Sequence, residues 1–165
     1  MEVAILGYGT VGSGVFEVLN QNRDSITKRA GKEIEVKHVL DLRDFPGEPA
    51  ESLITHDFEV IVNDPEVAIV AEAMGGVNPA YKFVKACLEA GKSVCTSNKE
   101  LVAKHGAEFL EIAKQKKVNF LFEASVGGGI PIIRPLNQSL TADEIMEITG
   151  ILTGTTNYIL TQMRD

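Results

Sequence analysis

Cysteine is scarce in this chain, positive charge is in deficit, and no apolar run is long enough to cross a membrane. Cys87 and Cys95 have no C-x-x-C spacing, and both lie in apolar stretches away from any histidine arrangement suited to zinc. They read as small buried residues. A chain of 165 residues can bury roughly 70% of its unfolded surface in one core, so neither a disulfide nor a metal is needed to hold it together. His38, His56 and His105 show no ligand pairing and read as surface or packing residues. With 16 Lys and Arg against 23 Asp and Glu, the net charge is −7. That balance argues against nonspecific nucleic-acid binding and against an anionic membrane. It leaves room for an anionic cofactor, which backbone dipoles can bind locally. The charged residue at position 2 leaves no room for a signal peptide, and the chain is expected to be cytoplasmic. Repeats and low-complexity segments are absent as well.

What the sequence does have begins at its first residue, with MEVAILGYGTVG. Glu2 to Leu6 is a short apolar run with β-branched members, suited to a strand buried on both faces. It breaks at Gly7-Tyr8-Gly9-Thr10-Val11-Gly12, after which Val15, Val18 and Leu19 recur at helical spacing. Strand, glycine turn and helix in that order form the setting in which G-x-G-x-x-G binds a dinucleotide. Gly7 permits the tight turn, Gly9 lets backbone approach a diphosphate, and Gly12 lets helix and strand pack closely. The phosphates then meet unpaired N–H groups at the helix N-terminus.

Further along, Ile34 to Leu40 predicts a second strand, closing at Asp41-Leu42-Arg43-Asp44. In a dinucleotide fold this tip meets the adenosine ribose, where an acid accepts from the 2′-hydroxyl and an arginine accommodates a 2′-phosphate. Both kinds of residue are present, so NAD and NADP stay open. The gap from Gly12 to Asp41 exceeds the usual ~20 residues and predicts an elongated first helix or loop. Phe58 to Val62 fits a strand or one helical turn. Val67 to Ala71 predicts a buried strand ending at Glu72-Ala73-Met74-Gly75-Gly76. Asn78-Pro79 predicts a helix N-cap with proline at the first helical position, and Gly91 a helix stop. Ser93 to Thr96 predicts a strand, followed by Ser97-Asn98-Lys99 and a helix that pauses near Gly106. Val118 to Phe122 predicts another strand, ending in Glu123 and a glycine run, and Ile130 opens a helix to Ser139.

This alternation describes an α/β, Rossmann-like doubly wound parallel sheet over residues 1–139, with its polar strand tips converging on one crevice. Glu144 to Leu152 shows period-2 patterning and predicts a strand of a different sheet. A helix opens at Gly154. One strand and one helix make no core, so 140–165 is expected to be the beginning of a second α+β domain, missing or completed by another subunit. The exposed apolar side of Ile145 to Ile151 is expected to drive self-association into a homodimer or larger assembly.

Together GYGTVG at 7–12, EAMGG at 72–76, TSNKELVA at 96–103, FEASVGGGIPII at 122–133 and GILTGTTNYIL at 150–160 resemble the homoserine dehydrogenase family, in the right order along nearly the whole chain. The resemblance implies NADPH- or NADH-dependent interconversion of aspartate 4-semialdehyde and homoserine, on the route to threonine, methionine and isoleucine. It implies that Gly7, Tyr8, Gly9, Thr10, Val11 and Gly12 hold the diphosphate, and that Asp41 and Arg43 meet the adenosine ribose or its phosphate. Gly75, Gly76, Ser97, Asn98 and Lys99 then lie along the cofactor toward the nicotinamide. Lys99 matches the family's first active-site lysine, and Gly154, Thr155 and Thr156 match the stretch bordering homoserine. The backbone carbonyls of Glu123, Val126, Gly128 and Ile130 match a monovalent-cation site, usually sodium. Thr153 stands where the family usually has asparagine. The acidic groups that hold the substrate amine, and a second catalytic lysine, belong to a later segment than these residues. The chain is therefore expected to bind cofactor without a complete catalytic site.

The residue chemistry agrees. Hydride arriving at an aldehyde carbon leaves charge on oxygen, which a nearby ammonium stabilises or protonates, and Lys99 follows directly on a strand end. The glycines after Glu123 let carbonyls turn inward onto a hard cation. Two other readings remain open: a Rossmann reductase for another small carbonyl compound, and a non-catalytic nucleotide-binding or regulatory module.

Overall fold

The computed structural model describes residues 1–150 and 154–164. Its centre is β1 (Glu2–Leu6), buried from Val3 onward, with β2 (Glu35–Leu40) on one side and β4 (Val67–Glu72) on the other. Beyond these lie β3 (Ile54–Thr55) next to β2, and β5 (Ser93–Thr96) and β6 (Phe120–Leu121) next to β4. All pairings are parallel and the order is β3-β2-β1-β4-β5-β6. The chain winds outward from β1 in one direction and then returns to wind outward in the other. The reversal falls between β1 and β4, and at such a point a crevice opens beyond the strand ends. Parallel pairing continues one step past the strands there, with Gly7 N–H donating to Leu40 (2.8 Å) and Ala73 N–H to Leu6 (2.9 Å).

Alternation along β1 splits its side chains between two cores. Ala4 and Leu6 join Val70, Val84, Leu88, Leu101 and Phe109 on the face covered by α3 (Phe58–Val62), α4 (Ala80–Glu89) and α5 (Lys99–Lys116). Ile5 joins Tyr8, Phe16, Val39 and Ala71 on the face covered by α1 (Thr10–Gln21) and the segment around Ala50. Each fully buried Leu or Ile contributes about 1.5–3 kcal/mol.

Several elements depart from expectation. The long interval after Gly12 holds a separate helix, α2 (Arg23–Ala30), which stops at Gly31 in the left-handed conformation. On α1 the buried line is Gly12 and Phe16, while Val18 faces solvent. Phe58 to Val62 is the helical alternative, because the Asp57 carboxylate accepts from Glu59 N–H and caps it. Asn78 is not the cap of α4. Pro79 occupies that position and no side chain bonds there. Helix α5 runs without a pause, because Gly106 lies on its buried side with Leu101, Phe109 and Ala113, whose burial outweighs the ~1 kcal/mol that glycine costs a helix. The strand at 118–122 shortens to Phe120–Leu121, and a one-turn helix, α6 (Glu123–Val126), follows it. Next come α7 (Ile133–Ser139), starting later than Ile130, and α8 (Gly154–Arg164). Residues 144–150 form no strand, because no described segment offers them a ladder partner. Ile151, Leu152 and Thr153 lie outside the described residues.

Gly12 is where helix and sheet meet most closely. A Cβ built on it stands 1.8 Å from the Gly7 carbonyl oxygen and 3.3 Å from Ile5 Cγ2. Backbone cannot give way as a flexible side chain would, so Gly12→Ala is expected to lower stability by about 3 kcal/mol. Urea denaturation checks this, and a loss below about 1 kcal/mol contradicts it.

Candidate functional site

The reversal between β1 and β4 opens into a cleft of about 460 Å3. Its floor is Gly7 and Gly9, one wall is Leu40 to Arg43 with His56, and the other is Ala73 and Met74 with Phe58 and Phe83. Gly7 sits at φ +94°, and a Cβ on it would press within 3.1 Å of Met74, so bend and wall are in contact. A Cβ on Gly9 would meet nothing within 4 Å. Gly9 is also the N-cap of α1 and brings no side-chain cap. The first-turn amides of Thr10, Val11 and Gly12 have no intrahelical acceptor. Tyr8 turns the other way. Its ring packs edge-on against Phe16 and Phe45, with centroids 6.1 and 4.9 Å away, leaving only its backbone at the bend.

Its N–H donates to Asp41 Oδ2 at 2.8 Å, tying the glycine bend to the tip of β2. The same carboxylate accepts from Arg43 N–H, Nε and Nη2, each at 3.0 Å. With its side chain 10% exposed, Asp41 is fully engaged, whereas Arg43 is 64% exposed and lies over the Phe45 ring at 4.9 Å. Asp41 holds the guanidinium in a fork and presents its remaining edge to the cleft. Beside them the His56 ring meets the Asp41 carbonyl at 2.6 Å and Asp44 Oδ1 at 3.0 Å, which raise its pKa in that order.

The nicotinamide half of the expected site lies along the tips of β4 and β5. Gly75 and Gly76 take φ +94° and +71°, and a Cβ on either would meet nothing within 4 Å. Asn98 caps α5 by accepting from Leu101 N–H at 3.1 Å, and Lys99 follows as an exposed first helical residue. Among the described residues no carboxylate pairs with Lys99. Gly75, Gly76, Ser97, Asn98 and Lys99 are not among the residues that line the cleft, whose Ala73 and Met74 precede the two glycines.

The remaining expected residues are not gathered there. Glu123 faces a separate groove with Leu110, Phe120, Phe122, Ile133 and Arg134. Its carboxylate accepts from the N–H groups of Ile132, Ile133 and Arg134 at the start of α7, and these bonds hold its pKa below the usual range, Ile132 first. Its carbonyl accepts from Gly127 N–H at 3.2 Å, and the Ile130 carbonyl lies against Gly127, where a Cβ would come within 2.7 Å. Gly154, Thr155 and Thr156 begin α8, and Gly154 and Thr156 are exposed. Burial pushes the Cys87 thiol up to about 12 and raises that of Cys95, as suits unreactive packing residues. Among the described residues, no helix is long and apolar enough to span a membrane and no three His, Cys, Asp or Glu side chains cluster as metal ligands.

Sheet order, glycine bend, open helix N-terminus and ribose-side tip define a dinucleotide-binding domain of the doubly wound class. The profile of "Homoserine dehydrogenase, NAD binding domain" matches residues 7–123, and that of "Homoserine dehydrogenase" matches 131–165. The chain belongs to the homoserine dehydrogenase family. It is 47% identical to a homoserine dehydrogenase of Synechocystis over 99% of its own length and 38% of that protein's. A homoserine dehydrogenase structure from Thiobacillus denitrificans superposes with a TM-score of 0.89 at 44% identity, over 99% of this chain and 38% of that one. A hyperthermophilic archaeal homoserine dehydrogenase, solved in complex with NADPH, gives 0.82 at 25% identity, over 98% and 56%. The chain thus spans about 38% of the length of the bacterial relatives.

Asp41 supplies a test of the wall that holds Arg43. The Arg43 side chain, followed by the Tyr8 and Arg43 amides, outweighs burial and holds its carboxyl at about 2, against an ordinary 3.8. A lowered folded-state pKa stabilises above the unfolded value, and the contribution is lost as pH falls through the folded one. Asp41→Asn is expected to cost about 1–2 kcal/mol near pH 6, Arg43 being largely solvated. The gap from the unmodified chain should close between about pH 4 and 2. Urea titrations across that range check it, and a pH-independent gap contradicts it.

Proposed function

We propose that this chain is the cofactor-binding part of a homoserine dehydrogenase and that it takes NADPH in preference to NADH. The observation that carries the preference is the engagement of Asp41. Its oxygens already serve Tyr8 and Arg43, so none is left to receive a ribose 2′-hydroxyl, while Arg43, which lines the cleft, keeps the guanidinium N–H groups that Asp41 does not take as donors suited to a 2′-phosphate. The diphosphate rests on the amides following Gly9, whose own missing side chain leaves room for close approach. Gly75 and Gly76 border the nicotinamide half, and Ser97, Asn98 and Lys99 flank it.

The cofactor supplies the hydride, and this chain's contribution to the reduction of aspartate 4-semialdehyde is the Lys99 ammonium, which stabilises the charge developing on the carbonyl oxygen. Gly154, Thr155 and Thr156 border the substrate once the rest of the protein's length is in place. The rim from Ile145 through Met146 and Ile148 to Tyr158 and Ile159 is exposed. It is the surface through which two copies associate, within a second domain that begins near residue 140. The protein works in the cytoplasm. The backbone carbonyls of Glu123, Val126, Gly128 and Ile130 are the place for a monovalent cation such as sodium, and no step here depends on it.

Isothermal titration decides the cofactor reading. NADPH should bind at least about tenfold more tightly than NADH, and Arg43→Ala should bring the two within about threefold, consistent with about 1.5–3 kcal/mol for a charged hydrogen bond. Equal affinities in the unmodified chain contradict it. For catalysis, the chain can be joined to the C-terminal remainder of the Thiobacillus denitrificans relative and assayed with aspartate 4-semialdehyde. Lys99→Met should reduce turnover by about 100-fold or more while NADPH affinity changes by less than about twofold. Undiminished turnover returns Lys99 to the solvated surface.

A further inference from the structure

Glu72 is the last residue of β4 and is 2% exposed, one of four buried polar residues among the described residues, with Lys92, Thr96 and Asn98. Among the described residues no lysine, arginine or histidine pairs with it. Burying a carboxyl group without a cation costs several kcal/mol unless hydrogen bonds satisfy it, and a leucine would fill the space without that cost. The carboxyl is satisfied in a particular way. Oε1 accepts from Met74 N–H at 2.8 Å, and Oε2 accepts from the Thr96 hydroxyl, across from β4 on β5. The Thr96 hydroxyl oxygen accepts in turn from Asn98 N–H at 2.9 Å, and the Asn98 side-chain amide donates to the Gly76 carbonyl. Backbone from Gly76 to Met74 closes the circuit. Outside it, Ser97 N–H donates to the Glu72 carbonyl at 3.3 Å.

Three of these links join the tip of β4 to the tip of β5: Thr96 to Glu72, Asn98 to Gly76 and Ser97 to Glu72. Between them the chain passes through Gly75 and Gly76 at positive φ, with open space where a Cβ would be. Met74 and Val77 pack against the core on either side of the two glycines, and hydrogen bonds hold the stretch between them. Lys99 is the residue after Asn98, so its starting point is fixed by the same circuit. We propose that Glu72 is a positioning residue for the nicotinamide end of the cofactor, tying together through Thr96 and Asn98 the two strand tips between which the ring lies. This rests on the dinucleotide reading above and adds a division of labour to it. Asp41 sets the adenosine end, and Glu72 sets the nicotinamide end.

The test compares NADPH with 2′-phospho-ADP-ribose, the same framework without the nicotinamide ring, by calorimetry on the 165-residue chain. The unmodified chain should prefer NADPH by at least about fivefold, or about 1 kcal/mol. Glu72→Gln keeps the volume but directs an amide N–H at a Thr96 oxygen that already accepts one, leaving the hydroxyl proton without its acceptor. Thr96→Val removes the hydroxyl and leaves Glu72 in place. Each should bring the preference within about twofold of unity, with 2′-phospho-ADP-ribose affinity within about twofold of the unmodified chain's, and each should diminish the shift in bound-NADPH fluorescence. Thr96→Ser, which restores the hydroxyl, should recover both. Thr96→Val decides alone should Glu72→Gln fail to fold. The proposal is overturned if the preference survives in the folded variants, if both ligands weaken in parallel, or if the unmodified chain has no preference. Failure of the underlying reading is distinguishable, because the unmodified chain would then bind neither ligand.

Discussion

The first turn of α1 lies so close to the bend after β1 that Gly12 has no room for a methyl group against the Gly7 carbonyl. Most of the site depends on that contact. It sets the helix N-terminus directly over the end of the central strand, so amides that a helix cannot satisfy internally face the crevice. It leaves Gly9 bare at the surface and turns Tyr8 away into the core beside Phe16 and Phe45. The Tyr8 N–H is then free to reach Asp41, which fixes the distance between the bend and the second strand tip. A larger residue at position 12 would part helix from sheet and undo each of these in turn.

Carboxylates around the sheet edge serve the backbone more than they face ligand. Asp41 receives two amides and a guanidinium, Glu72 an amide and a hydroxyl, and Glu123 the amides that open α7. Asp57 caps α3 in the same manner. A chain with a net charge of −7 can therefore offer a cleft hospitable to phosphate, because the acids nearest to it are neutralised by fixed donors. Exposed near the cleft are the cationic Arg43 and Lys99, and His56 beside the exposed Asp44.

Much of this was legible in the residues. The central strand, the glycine bend and the parallel α/β order followed from apolar runs and glycine placement, since local backbone needs determine them. The two sides of the ribose tip were visible as Asp41 and Arg43, but their relation was not. Sequence shows an acid and a base two positions apart, and only the fold shows the acid spent on holding the base. Glu72 was visible inside a motif without its role, because its partner Thr96 lies on another strand. Asn78 misled for a local reason, since its side chain does not reach the first turn and Pro79 occupies the cap. The Gly106 pause failed because tertiary burial overrides a single unfavourable propensity. Period-2 patterning from Glu144 promised a strand, but patterning supplies only a face, and a strand also needs a neighbour.

On the proposed reading, main-chain amides at the start of α1 hold the diphosphate of a nicotinamide dinucleotide. Amide-resolved NMR of the chain during titration with NADPH measures it most directly. The largest and saturable shifts should fall on Gly9, Thr10, Val11 and Gly12, with the Arg43 side chain following at the same ligand concentrations. Shifts concentrated along Leu110, Phe122 and Arg134, with residues 9–12 unmoved, would contradict it.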